Sequence, residues 1–187
     1  MQSTVPGLVR IASARGSGTG VVLTPSGLAL TSAQIAAGRG TVTARELPSG
    51  HACAARIVGT DAAHDLTLLQ LECAGAFQPV ALGNSRDVAA GDGVVAVSAS
   101  ASGRSFTPVT GRVSGASAAA AIAGHRLTGL LQATAPVIPG QGTGSPLVNL
   151  SGQVIGITLA GSPGGAHDTS FAMPINEALT IARQLKH

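Results

Sequence analysis

The feature that most limits what this chain can become is the length of its apolar runs. As far as Pro174 they are strand-sized and punctuated by Gly, Pro, Asn or Asp: Gly20-Val21-Val22-Leu23, Leu28-Ala29-Leu30-Thr31, Ala55-Arg56-Ile57-Val58, Leu66-Thr67-Leu68-Leu69-Gln70-Leu71, Val94-Val95-Ala96-Val97 and Gln153-Val154-Ile155-Gly156-Ile157. Short β-rich runs at this spacing specify an all-β sandwich or barrel and exclude a βαβ fold. Thr24-Pro25-Ser26-Gly27 and Asn149-Leu150-Ser151-Gly152 put Gly where a turn needs positive φ, so both read as hairpin turns. After Pro174 the period changes. Ile175 to Leu185 carries apolar groups at helical spacing, with Glu177 early and Arg183 and Lys186 late, as the helix dipole prefers.

Two stretches break the strand rhythm. Pro79–Gly93 is polar and turn-rich and reads as a connector between halves, while Ser114–Gly124 is small-residue low complexity and reads as a loose surface loop. The expected organisation is an N-terminal β-barrel over residues 1–78, a connector over 79–93, a C-terminal β-barrel over 94–172 and a closing helix over 173–187. A chain of 187 residues buries roughly 70% of its unfolded surface and needs no staple to fold.

Composition removes several functions. With 44% hydrophobic residues the chain is not disordered. Aromatics are 2%, with no Trp or Tyr, which argues against base-stacking and carbohydrate platforms. Net charge is +3, and Arg10, Arg15, Arg39, Arg45 and Arg56 are scattered singly along the chain, so no nucleic-acid footprint is expected. Cys and His show no metal-ligand spacing, so neither a metal nor another cofactor is expected. Gly16-Ser17-Gly18-Thr19-Gly20 is not a phosphate loop, because no Gly-Lys-Ser/Thr follows and a strand comes next. No apolar run reaches the roughly 18 residues of a membrane span.

Cys53 and Cys73 flank the hairpin Ala55–Leu71. A turn centred near Ala62 or Ala63 pairs Ile57 with Leu69, Ala55 with Leu71 and Cys53 with Cys73. Such a bridge would close a loop of about 20 residues and add roughly 3 kcal/mol. A slip of one residue would instead leave two free buried thiols. A disulfide would imply an oxidising compartment. Met1-Gln2-Ser3-Thr4-Val5-Pro6 has no leader pattern. The expectation is an extracytoplasmic domain, secreted or tethered within a longer protein, or a cytoplasmic one if Met1 is the native start.

Four segments in order resemble the trypsin-like serine proteases of the HtrA type: Gly16–Val22, Leu30–Gly38, Gly59–Leu69 and Gln141–Asn149. Leu82–Ser85, Val109–Ser114, Gln153–Ile157 and Phe171–Asn176 extend the likeness over nearly the whole chain. The resemblance implies the chymotrypsin fold, two antiparallel six-stranded β-barrels with a cleft between them and a C-terminal α-helix. It also implies where a catalytic triad would lie. The general base, a His in the family, falls on Gln34; the Asp falls on Asp65; the nucleophilic Ser, aligned back from Pro146, falls on Thr143. The Gly whose amide helps form the oxyanion hole falls on Gln141, and the following Asn or Asp on Gly142, so Gln141, Gly142 and Thr143 stand at the hole. The substrate pocket falls near Ile157, Thr158, Leu159, Ala160 and Phe171, without an obvious buried charge.

The departures fall on the chemistry. The Gln34 amide does not titrate near neutral pH, and its NH₂ end only donates. Without a base the Thr143 hydroxyl stays neutral and is a poor nucleophile. Losing base or nucleophile from a triad costs about 10⁶ in turnover. Asp65 is either the retained triad carboxylate or a turn residue bonding local amides, and Thr143 either a nucleophile or a loop hydroxyl. His51, His64, His125 and His167 are the other conceivable bases, and Ser145 another conceivable nucleophile. The expectation is a catalytically inactive homologue that binds a polypeptide partner, with an atypical active endopeptidase or a structural domain of a larger membrane-tethered protein as alternatives.

Overall fold

The computed structural model describes residues 5–162 and 168–187. Strands β1 (Leu8–Ser13), β2 (Gly16–Val22), β3 (Leu28–Ser32), β4 (Val42–Glu46), β5 (Ala52–Asp61) and β6 (Leu66–Leu71) close into one barrel in the order β1-β2-β3-β6-β5-β4. Strands β7 (Gly93–Ala99), β8 (Phe106–Ile122), β9 (His125–Ala133), β10 (Pro146–Asn149), β11 (Val154–Ser162) and β12 (Thr169–Pro174) close into a second, β10-β11-β12-β9-β8-β7. The pairings between named strands are antiparallel, and closure comes from β1 against β4 and β7 against β10. Closing a sheet removes the exposed edges that would otherwise invite aggregation. Besides the strands there are helices α1 (Ala33–Ala36) and α2 (Ile175–Leu185) and a short 3₁₀ turn at Ser85–Asp87 between β6 and β7. No helix of the described residues is long and apolar enough to cross a membrane.

One apolar cluster runs through both barrels, from Leu8, Val21, Leu30 and Leu68 to Val97, Leu130, Ile157 and Leu159. Helix α2 joins it through Ile175, Ala178, Ile181 and Ala182, the helical stripe the sequence predicts. Burying each isoleucine contributes about 1.5–3 kcal/mol, enough to seat a three-turn helix. Its first turn is also pinned: Asn176 Oδ1 accepts from the Ser85 amide and hydroxyl, each at 3.0 Å, and Asn176 Nδ2 donates to Asn84 Oδ1 at 3.0 Å. The connector and the helix are thus tied by two of the motifs that carried the resemblance.

The hairpin between β5 and β6 has the pairs Ala55↔Leu71 and Ile57↔Leu69, and Cys53 is bonded to Cys73 with 5.1 Å between Cα atoms. A bulge at Val58 makes this possible. On its turn side Gly59 faces Leu68, a register that would carry Cys53 opposite Ala74 without the extra residue.

Ser114–Gly124 is not a loop. It is the far half of β8 and its turn, paired with β9 through Ala118↔Leu130 and Ile122↔His125. Ala123 and Gly124 both have positive φ, 50° and 85°, as a two-residue turn joining twisted strands requires. Tertiary pairing overrides the weak strand preference of the alanines, and three register shifts absorb the misfit.

Candidate active site

The cleft is assembled from single turns. Ser32 ends β3 and caps α1, its hydroxyl accepting from the Gln34 amide at 3.1 Å. That one helical turn buries Ala33, Ile35 and Ala36 and leaves Gln34 exposed on the cleft side. Asp65 sits in the β5–β6 turn at φ 55°, a left-handed conformation that Asp tolerates better than most residues.

Asp65 is 1% exposed, yet its partners are not the local amides of its turn. Its carboxylate accepts from the Ser32 hydroxyl at 2.9 Å to both oxygens, from the Gln34 amide at 3.0 Å and from Gln34 Nε2 at 2.6 Å. Burial among neutral groups raises its pKa above the ordinary aspartate value; the hydrogen bonds from the Gln34 side chain, Ser32 and the Gln34 and Ala33 backbones pull the other way. Gln34 Nε2 also donates to the Leu159 carbonyl at 3.2 Å. Both partners are acceptors, so the NH₂ end must face them and both its hydrogens are committed. Gln34, at the position where the resemblance implies a base, is therefore held as a fixed double donor.

Thr143 and Gln34 line the same depression, of about 340 Å³, together with Pro136, Val137, Pro139, Leu159, Ala160, Gly161 and Asp168. Of the expected pocket residues, Leu159 and Ala160 line it. Ile157 and Thr158 are buried, and Phe171 packs, half-buried, against the main core. Exposed Asp168, not singled out in the sequence, puts a carboxylate on the same wall; the expectation concerned buried charge only. The segment Gly164–Asp168 drew attention only to His167, which lies outside the described residues.

The loop before Thr143 is turned inward. The Gln141 amide donates to the Ile138 carbonyl at 3.1 Å and the Gly142 amide to the same oxygen at 2.8 Å. Among the described residues the Thr143 amide makes no hydrogen bond, so of the three backbone donors expected at the oxyanion hole one is uncommitted. A Cβ on Gly142 would stand 2.8 Å from the Ile138 nitrogen and 2.8 Å from Val137 Cγ1, so only Gly fits there. The loop is also held from β1 and β2. Arg10 Nη2 donates to Ser17 Oγ at 2.9 Å, Ser17 Oγ to the Gly140 carbonyl at 3.0 Å, Thr19 Oγ1 to the Gln141 carbonyl at 2.7 Å and the Thr19 amide to the Thr143 carbonyl at 2.9 Å. A Cβ on Gly18 would run into that Thr143 carbonyl, which gives the Gly16–Gly20 run a packing reason for its glycines.

The alternative groups are elsewhere. His64 Nδ1 is 2.7 Å from Asp61 Oδ2, and His51 and His125 are exposed at strand ends. None of these described histidines bonds to Asp65. Ser145 is 1% exposed and its hydroxyl, like that of Thr158, is buried without a hydrogen-bond partner among the described residues, so it is no accessible nucleophile. No group of His, Cys, Asp and Glu among the described residues could hold a metal.

Residues 18–157 match the trypsin-like peptidase domain family. Over 92% of its length the chain is 33% identical to a "probable periplasmic serine endoprotease DegP-like" of Pseudomonas fluorescens, spanning 36% of that protein. Over 90% of its length it is 33% identical to the serine protease Do-like HtrA of Lactobacillus helveticus, spanning 42% of it. The chain thus spans less than half the length of these curated relatives. The crystal structure of the MamO protease domain from Magnetospirillum magneticum, in its apo form, superposes with a TM-score of 0.80 at 23% identity, covering 96% of this chain and 97% of that one, a likeness of fold.

Proposed function

This chain belongs to the trypsin-like peptidase family, and on that premise we propose that it is a catalytically silent member whose cleft binds an extended polypeptide. The observation that carries the reading is the double commitment of Gln34 Nε2, to Asp65 and to the Leu159 carbonyl. A general base must accept a proton from the nucleophile, and a primary amide with both hydrogens engaged does not. The Gln141 amide, bonded to Ile138, supports it from the other side of the mechanism, since a hole with one free donor stabilises an oxyanion poorly.

Peptide binding has its own support. Strand β10 pairs with β11 as far as Ile157, and beyond Thr158 the outer edge of β11 has no strand partner among the described residues. A peptide added there would gain main-chain hydrogen bonds while a small apolar side chain entered the depression between Val137 and Leu159. Asp168 at the rim would suit a cationic group on the same ligand. An extracytoplasmic setting fits the Cys53–Cys73 bond, which an oxidising compartment preserves, and the periplasmic descriptor of the Pseudomonas relative.

The test is a fluorophosphonate active-site probe alongside casein as substrate. Neither covalent labelling nor cleavage is expected, and labelling together with cleavage would overturn the silent assignment.

A further inference from the structure

We infer that the seam between the barrels carries an anion site for a phosphate-class ligand, built by Arg45 and Arg104 beside the stem of Arg10. In the linear sequence these arginines are far apart, and the fold brings them together. The β1–β4 register sets Arg10 directly opposite Arg45, two like charges across a strand pair, an arrangement that by itself destabilises a sheet. The loop between β7 and β8 crosses over them from the second barrel. The position a Cβ would take on Gly103 is 3.2 Å from Arg45 Cγ and 3.3 Å from Arg10 Cδ, so the loop backbone lies on both arginine stems. The next residue, Arg104, lies along Gly50, with Nε 3.4 Å from that residue's Cβ position, and the Gly50 carbonyl accepts from Arg45 Nη1 at 2.6 Å.

None of the three has a carboxylate within ion-pair distance among the described residues; the ion pairs there are Arg56–Glu72 and His64–Asp61. Arg10 is engaged with Ser17, Ser100 and Gly140. Among the described residues Arg45 makes a single side-chain hydrogen bond and Arg104 none, although guanidinium carries five donors. Arg104 is exposed and Arg10 and Arg45 are half-buried, so the spare donors face a place that solvent reaches. The Arg45 and Arg104 guanidiniums, one from each barrel and both placed at Gly50 with the Arg10 stem alongside, are suited to a multivalent tetrahedral oxyanion, which takes paired N–H donors from several directions at once. A carboxylate offers fewer acceptors and less charge, and chloride no directional fork. Because Arg45 comes from the first barrel and Arg104 from the second, an occupied site would also stitch the barrels together.

The experiment titrates inorganic phosphate against sodium chloride of matched ionic strength, following thermal unfolding and calorimetric binding. A saturable rise in Tm specific to phosphate is expected in the parent chain. Arg104→Gln, which has no hydrogen bond to lose, should loosen phosphate binding by about tenfold or more, while in chloride alone it should unfold no earlier than the parent. Equal phosphate responses in parent and variant, or equal effects of chloride and phosphate, would overturn the site. Sedimentation with phosphatidylcholine vesicles containing phosphatidic acid separates the sources of the ligand. Vesicle binding that Arg104→Gln abolishes assigns a lipid phosphate; a phosphate response without vesicle binding assigns the soluble ion.

Discussion

Gln34→His together with Thr143→Ser returns an imidazole and a primary hydroxyl to a cleft where Asp65 already holds residue 34 through a 2.6 Å hydrogen bond. Restoring base and nucleophile to a triad is worth about 10⁶ in turnover when everything else is in place. Everything else is not in place, because the Gln141 amide is spent on Ile138. One missing oxyanion donor costs about 10²–10³, or roughly 2.7–4 kcal/mol. The double variant should therefore gain about 10³–10⁴ over the parent. Adding Gln141→Gly widens the backbone range at 141 and lets the amide turn outward at the cost of one hydrogen bond, about 1 kcal/mol. The triple variant should then recover most of the remaining two to three decades. The assay is the rate of fluorophosphonate labelling with kcat/KM on an unfolded casein substrate, the two variants compared side by side. A double variant as active as the triple would refute the role given to the 138–141 hydrogen bond. Silence in both would refute the claim that the rest of the cleft is competent.

Replacing both Cys53 and Cys73 by Ser should lower stability by about 3 kcal/mol, from the entropy of a loop about 20 residues long, and Tm by roughly 6–12 °C in a chain of this size; scanning calorimetry checks it, and reductant should lower the parent's Tm similarly. Asp65 gives a pH signature. Its native pKa is raised, so between the ordinary aspartate value and the native value the folded state holds more protons than the unfolded one. Its contribution to stability is therefore full below the ordinary value and is lost as pH rises through the native one. The difference in urea midpoint between parent and Asp65→Asn should accordingly fall with rising pH across the acid range; a rising difference would contradict the burial argument.

Much of this architecture could be read from the residues because the local signals agree with the global fold. The Thr24–Gly27 and Asn149–Gly152 turns, the alternating runs and the apolar period of α2 each specify their element without help. What escaped the reading depends on contacts between distant segments. The alanines of β8 carry almost no strand signal, and their pairing with β9 decides the outcome. The disulfide turned on a bulge at Val58 that no residue pattern announces. In the cleft, the family likeness singled out Gln34, Asp65 and Thr143. The Ser32 hydroxyl that joins Asp65 to α1 was passed over, since a serine at a strand end carries no sign of a partner more than thirty residues away. The Ile138 carbonyl could not be found at all, because a backbone oxygen's partners are set by loop conformation and not by side-chain type.

The absent side chain at position 142 makes substitution there directional. With Val137 and the Ile138 nitrogen occupying the space a Cβ would need, any larger residue there requires a shift of the neighbouring backbone before it can be accommodated. Shedding a side chain asks one codon to change, whereas reinstating it asks a whole segment to withdraw first. Position 142 is therefore locked to glycine for as long as the 137–138 backbone stays where it is.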